Sequence, residues 1–172
     1  NSILLGTREI DCFDISIFPE KYLFLQLASV KALSKSDYLD YYFSEDREVI
    51  FGDDLYDQIR EYLPEKYKTF WDHLYMFDEG YDIYNSLLFR SDVCIKNHVI
   101  DTNPYLEDSN YERLRSILLN EEIIINPYVG DIRKLEFKDR YDLINLSNIM
   151  EYICSSSDFK SYIEFLRTNF NL

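Results

Sequence analysis

The chain has 172 residues with 32 acidic against 18 basic side chains, a formal net charge of -14. That balance excludes a general phosphate-backbone binder, which needs a basic footprint to release counterions. Hydrophobic residues at 47% and charged residues at 29% give a globular rather than a disordered composition, at a length that suits one domain.

After Asn1, the apolar residues Ile3, Leu4 and Leu5 run straight into Gly6, as if a helix were entered near its tail; the chain is expected to be a fragment or a processed chain. Residues 8 to 15 alternate polar and apolar side chains and predict a strand ending near Asp14. Pro19 then opens a helix in which Tyr22, Leu25, Leu27 or Ala28, and Ala32 or Leu33 recur at three- and four-residue steps. From about Ser36 to Arg90 the pattern stays helical, with pieces near 36 to 44, 53 to 62, 65 to 78 and 82 to 89, punctuated by Gly52, Pro64 and Gly80. This stretch, 36 to 90, reads as a helical insertion. Asp108 or Ser109 can cap a further helix that places Tyr111, Leu114, Ile117 and Leu118 on one face. A β-branched run over 122 to 126 predicts a strand closed by Pro127 and followed by Gly130-Asp131. Residues 141 to 147 read as a buried strand leading into a final helix. Strands alternating with helices predict an α/β fold with the three strands parallel, in a single incomplete domain over 1 to 172.

Cys12, Cys94 and Cys154 are far apart and odd in number, so neither a disulfide framework nor a CxxC motif is available, and a reducing, cytoplasmic setting is expected. With only His73 and His98, a His/Cys zinc site lacks ligands. No apolar run reaches the roughly 18 to 20 residues that span a bilayer, so no transmembrane segment is expected. Asp37, Asp40, Glu45 and Asp46 read as a solvated acidic face. Phe70, Trp71, Leu74, Tyr75 and Phe77 form a helical stripe that suits a core better than a cofactor box, while His73 beside it is a candidate proton acceptor.

The run from Asn1 to Ser16, NSILLGTREIDCFDIS, with the helix containing Leu25-Gln-Leu-Ala-Ser-Val-Lys-Ala-Leu33, resembles the second strand and following helix of class I S-adenosylmethionine-dependent methyltransferases. It looks most like the betaine-lipid (diacylglycerol) 3-amino-3-carboxypropyl transferase group, which shares that fold and has a helical insertion with a Phe-Trp pair, here Phe70-Trp71. Gly130-Asp131-Ile132 and the run from Tyr141 to Asn148 resemble segments at the ends of later strands, so the likeness touches most of the chain through short motifs. The family's glycine-rich loop has no counterpart, because Gly6, Gly52, Gly80 and Gly130 are isolated; the loop is expected upstream of Asn1.

The resemblance implies a partial Rossmann-like parallel sheet and S-adenosyl-L-methionine as cofactor. It makes Asp14 the carboxylate that accepts both ribose hydroxyls, a task suited to two acceptor oxygens. Asp131 would meet the adenine amino group, with Ile15 and Ile132 as apolar walls, and Ser147 and Asn148 would line the methionine and substrate side. Each position also has a plainer reading: Asp14 as a solvated strand end, Gly130-Asp131 as a turn pair, and Ser147 and Asn148 as helix caps. The expected function is transfer of a methyl or a 3-amino-3-carboxypropyl group to an unidentified acceptor. The competing reading is a non-catalytic α/β module whose tyrosine-rich helical surface binds another protein or a second copy, which leaves a homo-oligomer open.

Overall fold

The alternation from Glu9 to Asp14 suits a half-buried extended segment, and in a computed structural model of the chain it is strand β1, Glu9–Asp14. The structure describes residues 1–43, 53–76, 100–131, 141–143, 145, 160, 161, 163, 164, 167 and 168. Among the described residues, strand β2, Ile124–Val129, pairs with β1 in a two-stranded sheet. The Ile124 N–H donates to the Arg8 carbonyl at 2.9 Å and the Gly130 N–H to the Asp14 carbonyl at 2.8 Å. Donor and acceptor advance together along the two chains, which makes the pair parallel. The register sets Asp11 opposite Asn126, and the Asn126 amide donates to the Asp11 carboxylate at 2.7 Å.

β2 starts at Ile124 rather than at residue 122, and it continues through Pro127 instead of stopping there. The N–H groups facing β1 belong to alternate residues, beginning with Ile124 and ending with Gly130. Pro127 falls on the other parity, so its missing N–H faces away from β1 and the ladder loses nothing. The expected strand over 141 to 147 needs correction at the residues described. Tyr141, Leu143 and Asn145 are in no strand, Asp142 sits in a bend, and the Leu143 side chain is 64% exposed rather than buried. An alternating apolar run becomes a strand only where a neighbour takes up its N–H and C=O groups, and alternation alone does not supply that neighbour. The rest of that run lies outside the described residues.

Helix α1, Phe18–Ala32, starts with Pro19 in its first turn. Its sequence is apolar almost all round, the mark of a central helix. It packs against α2, Lys35–Phe43, α3, Asp53–Tyr62, and α5, Asp108–Asn120. With α4, Glu65–Met76, these helices coincide with the expected pieces near 36 to 44, 53 to 62, 65 to 78 and 109 to 119; the piece at 82 to 89 lies outside the described residues. Ser34 starts α2: its hydroxyl accepts the Asp37 N–H at 3.2 Å and donates to the Asp37 carboxylate at 2.7 Å.

The core gathers Leu25, Leu33, Tyr38, Tyr41, Ile59, Trp71, Leu106 and Tyr111, all fully buried. So many tyrosines bring hydroxyls inward, and each needs a partner. Tyr38 meets Tyr105 at 3.2 Å, Tyr41 meets Tyr75, and Tyr111 donates to the Leu33 carbonyl at 3.2 Å. Tyr56 stacks on Tyr75 with ring centroids 3.8 Å apart and gives its hydroxyl hydrogen to Asp72 at 2.8 Å. The Trp71 indole N–H donates to the Lys21 carbonyl at 3.3 Å, while the Lys21 ammonium lies 3.7 Å from the centre of the Phe70 ring.

The chain divides into two compact units, Asn1–Cys12 with Ser16–Pro127, and Phe13–Ile15 with Tyr128–Leu172. The helices α1 to α5 and their core belong to the first. Asp14, Ile15, Gly130 and Asp131 belong to the second. Among the described residues, no helix is long and apolar enough to cross a membrane.

Candidate functional site

Two neighbouring parallel strands necessarily end on the same side, and in α/β sheets that is where ligands bind. β1 delivers Asp14 there as its last residue, with the carboxylate exposed, and the following Ile15 is 82% exposed. β2 delivers Gly130 and then Asp131, which is half-buried. The hydrogen bond from the Gly130 N–H to the Asp14 carbonyl, 2.8 Å, ties the two strand ends together. Gly130 has a φ of 148°, and nothing lies within 4 Å of where its Cβ would be. The result is a small set of acceptors, with an apolar side chain in Ile15 and open space at Gly130.

Of the six residues expected to contact a cofactor, Asp14, Ile15 and Asp131 are thus brought to one end of the parallel pair. Ile132, Ser147 and Asn148 lie outside the described residues. The Asp14 carboxylate, exposed at a strand end, is the type of acceptor a vicinal diol calls for, and a second carboxylate suits an exocyclic amine, so the acceptors present match the nucleoside half of S-adenosylmethionine in chemical type. Both aspartates take part in interactions within the chain, so a ligand would exchange contacts there rather than meet bare groups.

The remaining candidates separate cleanly. Phe70, Trp71, Leu74 and Tyr75 on α4 are core or packed against it, as the stripe predicted, and Phe77 lies outside the described residues. His73 is exposed on the same helix. His98, Glu45, Asp46, Cys94 and Cys154 lie outside the described residues. Burial, with the neighbouring Asp11 carboxylate, pushes the Cys12 thiol up from its ordinary range and keeps it protonated. Among the described residues, no three His, Cys, Asp or Glu side chains gather to hold a metal ion. Among the described residues, the helical tyrosines of the competing reading are largely interior: Tyr38, Tyr41, Tyr42, Tyr56, Tyr67 and Tyr111 are all buried.

Three polar constellations had no signal in the sequence. Asp72 is held by Arg60 and Tyr56, Glu20 by Tyr67 and Lys66, and Asp11 by Asn126. Their partners are distant in the chain and meet only through helix packing or strand register. Compared with family models, with curated proteins and with solved structures, the chain matches none.

Proposed function

We propose that this chain is part of an S-adenosylmethionine-dependent transferase-like protein, moving a methyl or a 3-amino-3-carboxypropyl group, and that the β1–β2 pair belongs to a Rossmann-like sheet. The reading is carried by one observation: Asp14 ends β1 and Asp131 lies two residues past the end of β2, and these adjacent parallel strands are joined by the Gly130 to Asp14 hydrogen bond of 2.8 Å. The cofactor would supply an activated sulfonium whose attached carbon accepts a nucleophile. The chain's own part is to bind and orient. Asp14 would accept the ribose hydroxyls, Asp131 the adenine amino group, and Ile15 would shield one side of the ring. The burial of the helical tyrosines weakens the alternative of an interaction module built on them.

Calorimetric titration with S-adenosylmethionine and S-adenosylhomocysteine tests the reading, on the chain and on the chain with its genomic upstream sequence. Asp14→Ala is expected to weaken binding by about 1 to 3 kcal/mol, the range for losing hydrogen bonds to a charged group, with little change in stability. Unaltered affinity in that variant, or no binding by either form, would overturn it.

A further inference from the structure

We propose that Gly130 is a positioning residue of this site, whose backbone conformation sets Asp131 against the end of β1. The inference rests on the reading of Asp14 and Asp131 as cofactor contacts. A glycine at a strand end usually marks either crowding or an unusual backbone. Crowding is excluded here, because an added Cβ would meet nothing within 4 Å. What remains is the φ of 148°, a value that L side chains rarely adopt. In that conformation the residue still donates its N–H to the Asp14 carbonyl at 2.8 Å while turning the chain out of β2. An alanine would relax toward negative φ and rotate the peptide planes on both sides. The first plane carries the hydrogen bond to Asp14, and the second carries Asp131.

The protein contains its own control. Gly6 ends the 3-10 turn Ser2–Leu5 with a φ of 102°, again with nothing within 4 Å of an added Cβ, and it lies in the other compact unit. Gly6→Ala therefore imposes a similar backbone penalty with no carboxylate to misplace.

The test uses the full chain as wild type, Gly130→Ala and Gly6→Ala, with S-adenosylhomocysteine as the probe, amide hydrogen exchange at residue 130 and thermal midpoints. Gly130→Ala is expected to exchange its residue-130 amide about tenfold faster and to lose affinity about tenfold or more. Gly6→Ala should lower the midpoint comparably and leave affinity unchanged. Unchanged exchange at residue 130 would overturn the backbone argument. Faster exchange with affinity retained would overturn the positioning role and leave the reading of the aspartates standing. Equal losses of affinity in both variants would reduce the effect to general destabilisation and overturn it too. Absence of binding by the wild type, both as the chain and with its genomic upstream sequence, would overturn the reading itself, and the positioning role with it.

Discussion

Ser29 and Tyr42 share a hydrogen bond of 2.9 Å between their hydroxyls, at a point where Ser29 has no exposed surface. The direction of the bond follows from counting protons. Ser29 has a single hydroxyl hydrogen, which goes to the Leu25 carbonyl at 2.8 Å, so Tyr42 is the donor. Burial drives the Tyr42 phenol well above its ordinary range, ahead of the opposing pull from Ser29.

This bond is expected to appear as a coupling energy. Ser29→Ala, Tyr42→Phe and the double variant, compared by urea unfolding, should show an interaction of about 0.5 to 1.5 kcal/mol, the net worth of one intramolecular hydrogen bond. Strict additivity would mean that the contact contributes nothing to folding.

Tyr111 closes the end of α1 from α5. Its hydroxyl donates to the Leu33 carbonyl at 3.2 Å, and Arg115 Nε donates to the Lys31 carbonyl at 3.1 Å, so carbonyls that the helix leaves without a partner are met by side chains. Tyr111→Phe keeps the ring and loses the donor, and is expected to cost about 0.5 to 1.5 kcal/mol in urea unfolding. Tyr111→Ala empties a fully buried site and should cost about 3 to 5 kcal/mol. A Phe variant as damaged as the Ala variant would contradict the division between ring and hydroxyl.

The helices were legible because a buried face repeats within a short window: Tyr111, Leu114, Ile117 and Leu118 are all core. The end of β1 at Asp14 was legible from alternation, and with it the placement of Asp14 and Ile15 at a strand end. Ser29 was not, because a serine joins a core only when a partner such as Tyr42 arrives from another helix. Nor was the extent of β2, since the cost of Pro127 depends on which edge its nitrogen faces, a property of the pair rather than of the strand. The Asp11–Asn126 contact depends on register in the same way. The positions of Asp14 and Asp131 could be anticipated as two strand ends; the hydrogen bond that joins these ends through Gly130 could not.

The register carries its own contrast. Pro127→Ala adds an N–H that faces away from β1, so its effect should be confined to the unfolded chain, about 0.4 to 1 kcal/mol. Asn126→Pro removes an N–H that faces β1 and also the amide on Asp11, and should cost about 3 kcal/mol or more. Urea unfolding of the two variants checks this. Equal mildness would move the strands out of the register described.

Acid should weaken the fold through two carboxylates. Asp72 receives Arg60 through Nε at 2.7 Å and Nη2 at 2.9 Å, and the Tyr56 hydroxyl at 2.8 Å; the Arg60 hydrogen bonds, outweighing partial burial and aided by Tyr56, hold its carboxyl below the usual range. Burial pushes Glu20 upward, but the Tyr67 hydroxyl and the Lys66 ammonium at 3.1 Å outweigh it and hold this carboxyl low as well. A carboxyl whose pKa is depressed on folding binds fewer protons in the native than in the unfolded state. Its stabilisation is therefore fully present above the unfolded value, about 4, and is lost as pH falls through the lower folded value. Asp72→Asn and Glu20→Gln should each lower the thermal midpoint near neutrality and flatten its decline below about pH 5, with the double variant flattest. Exposure of Arg60 means that salt screens the ionic part of the Asp72 contact, so the Asp72→Asn difference at neutral pH should shrink in high salt. Midpoints measured from about pH 7 down to about pH 3 decide it, and variant curves running parallel to the wild type over that whole span would remove both carboxylates from the acid response.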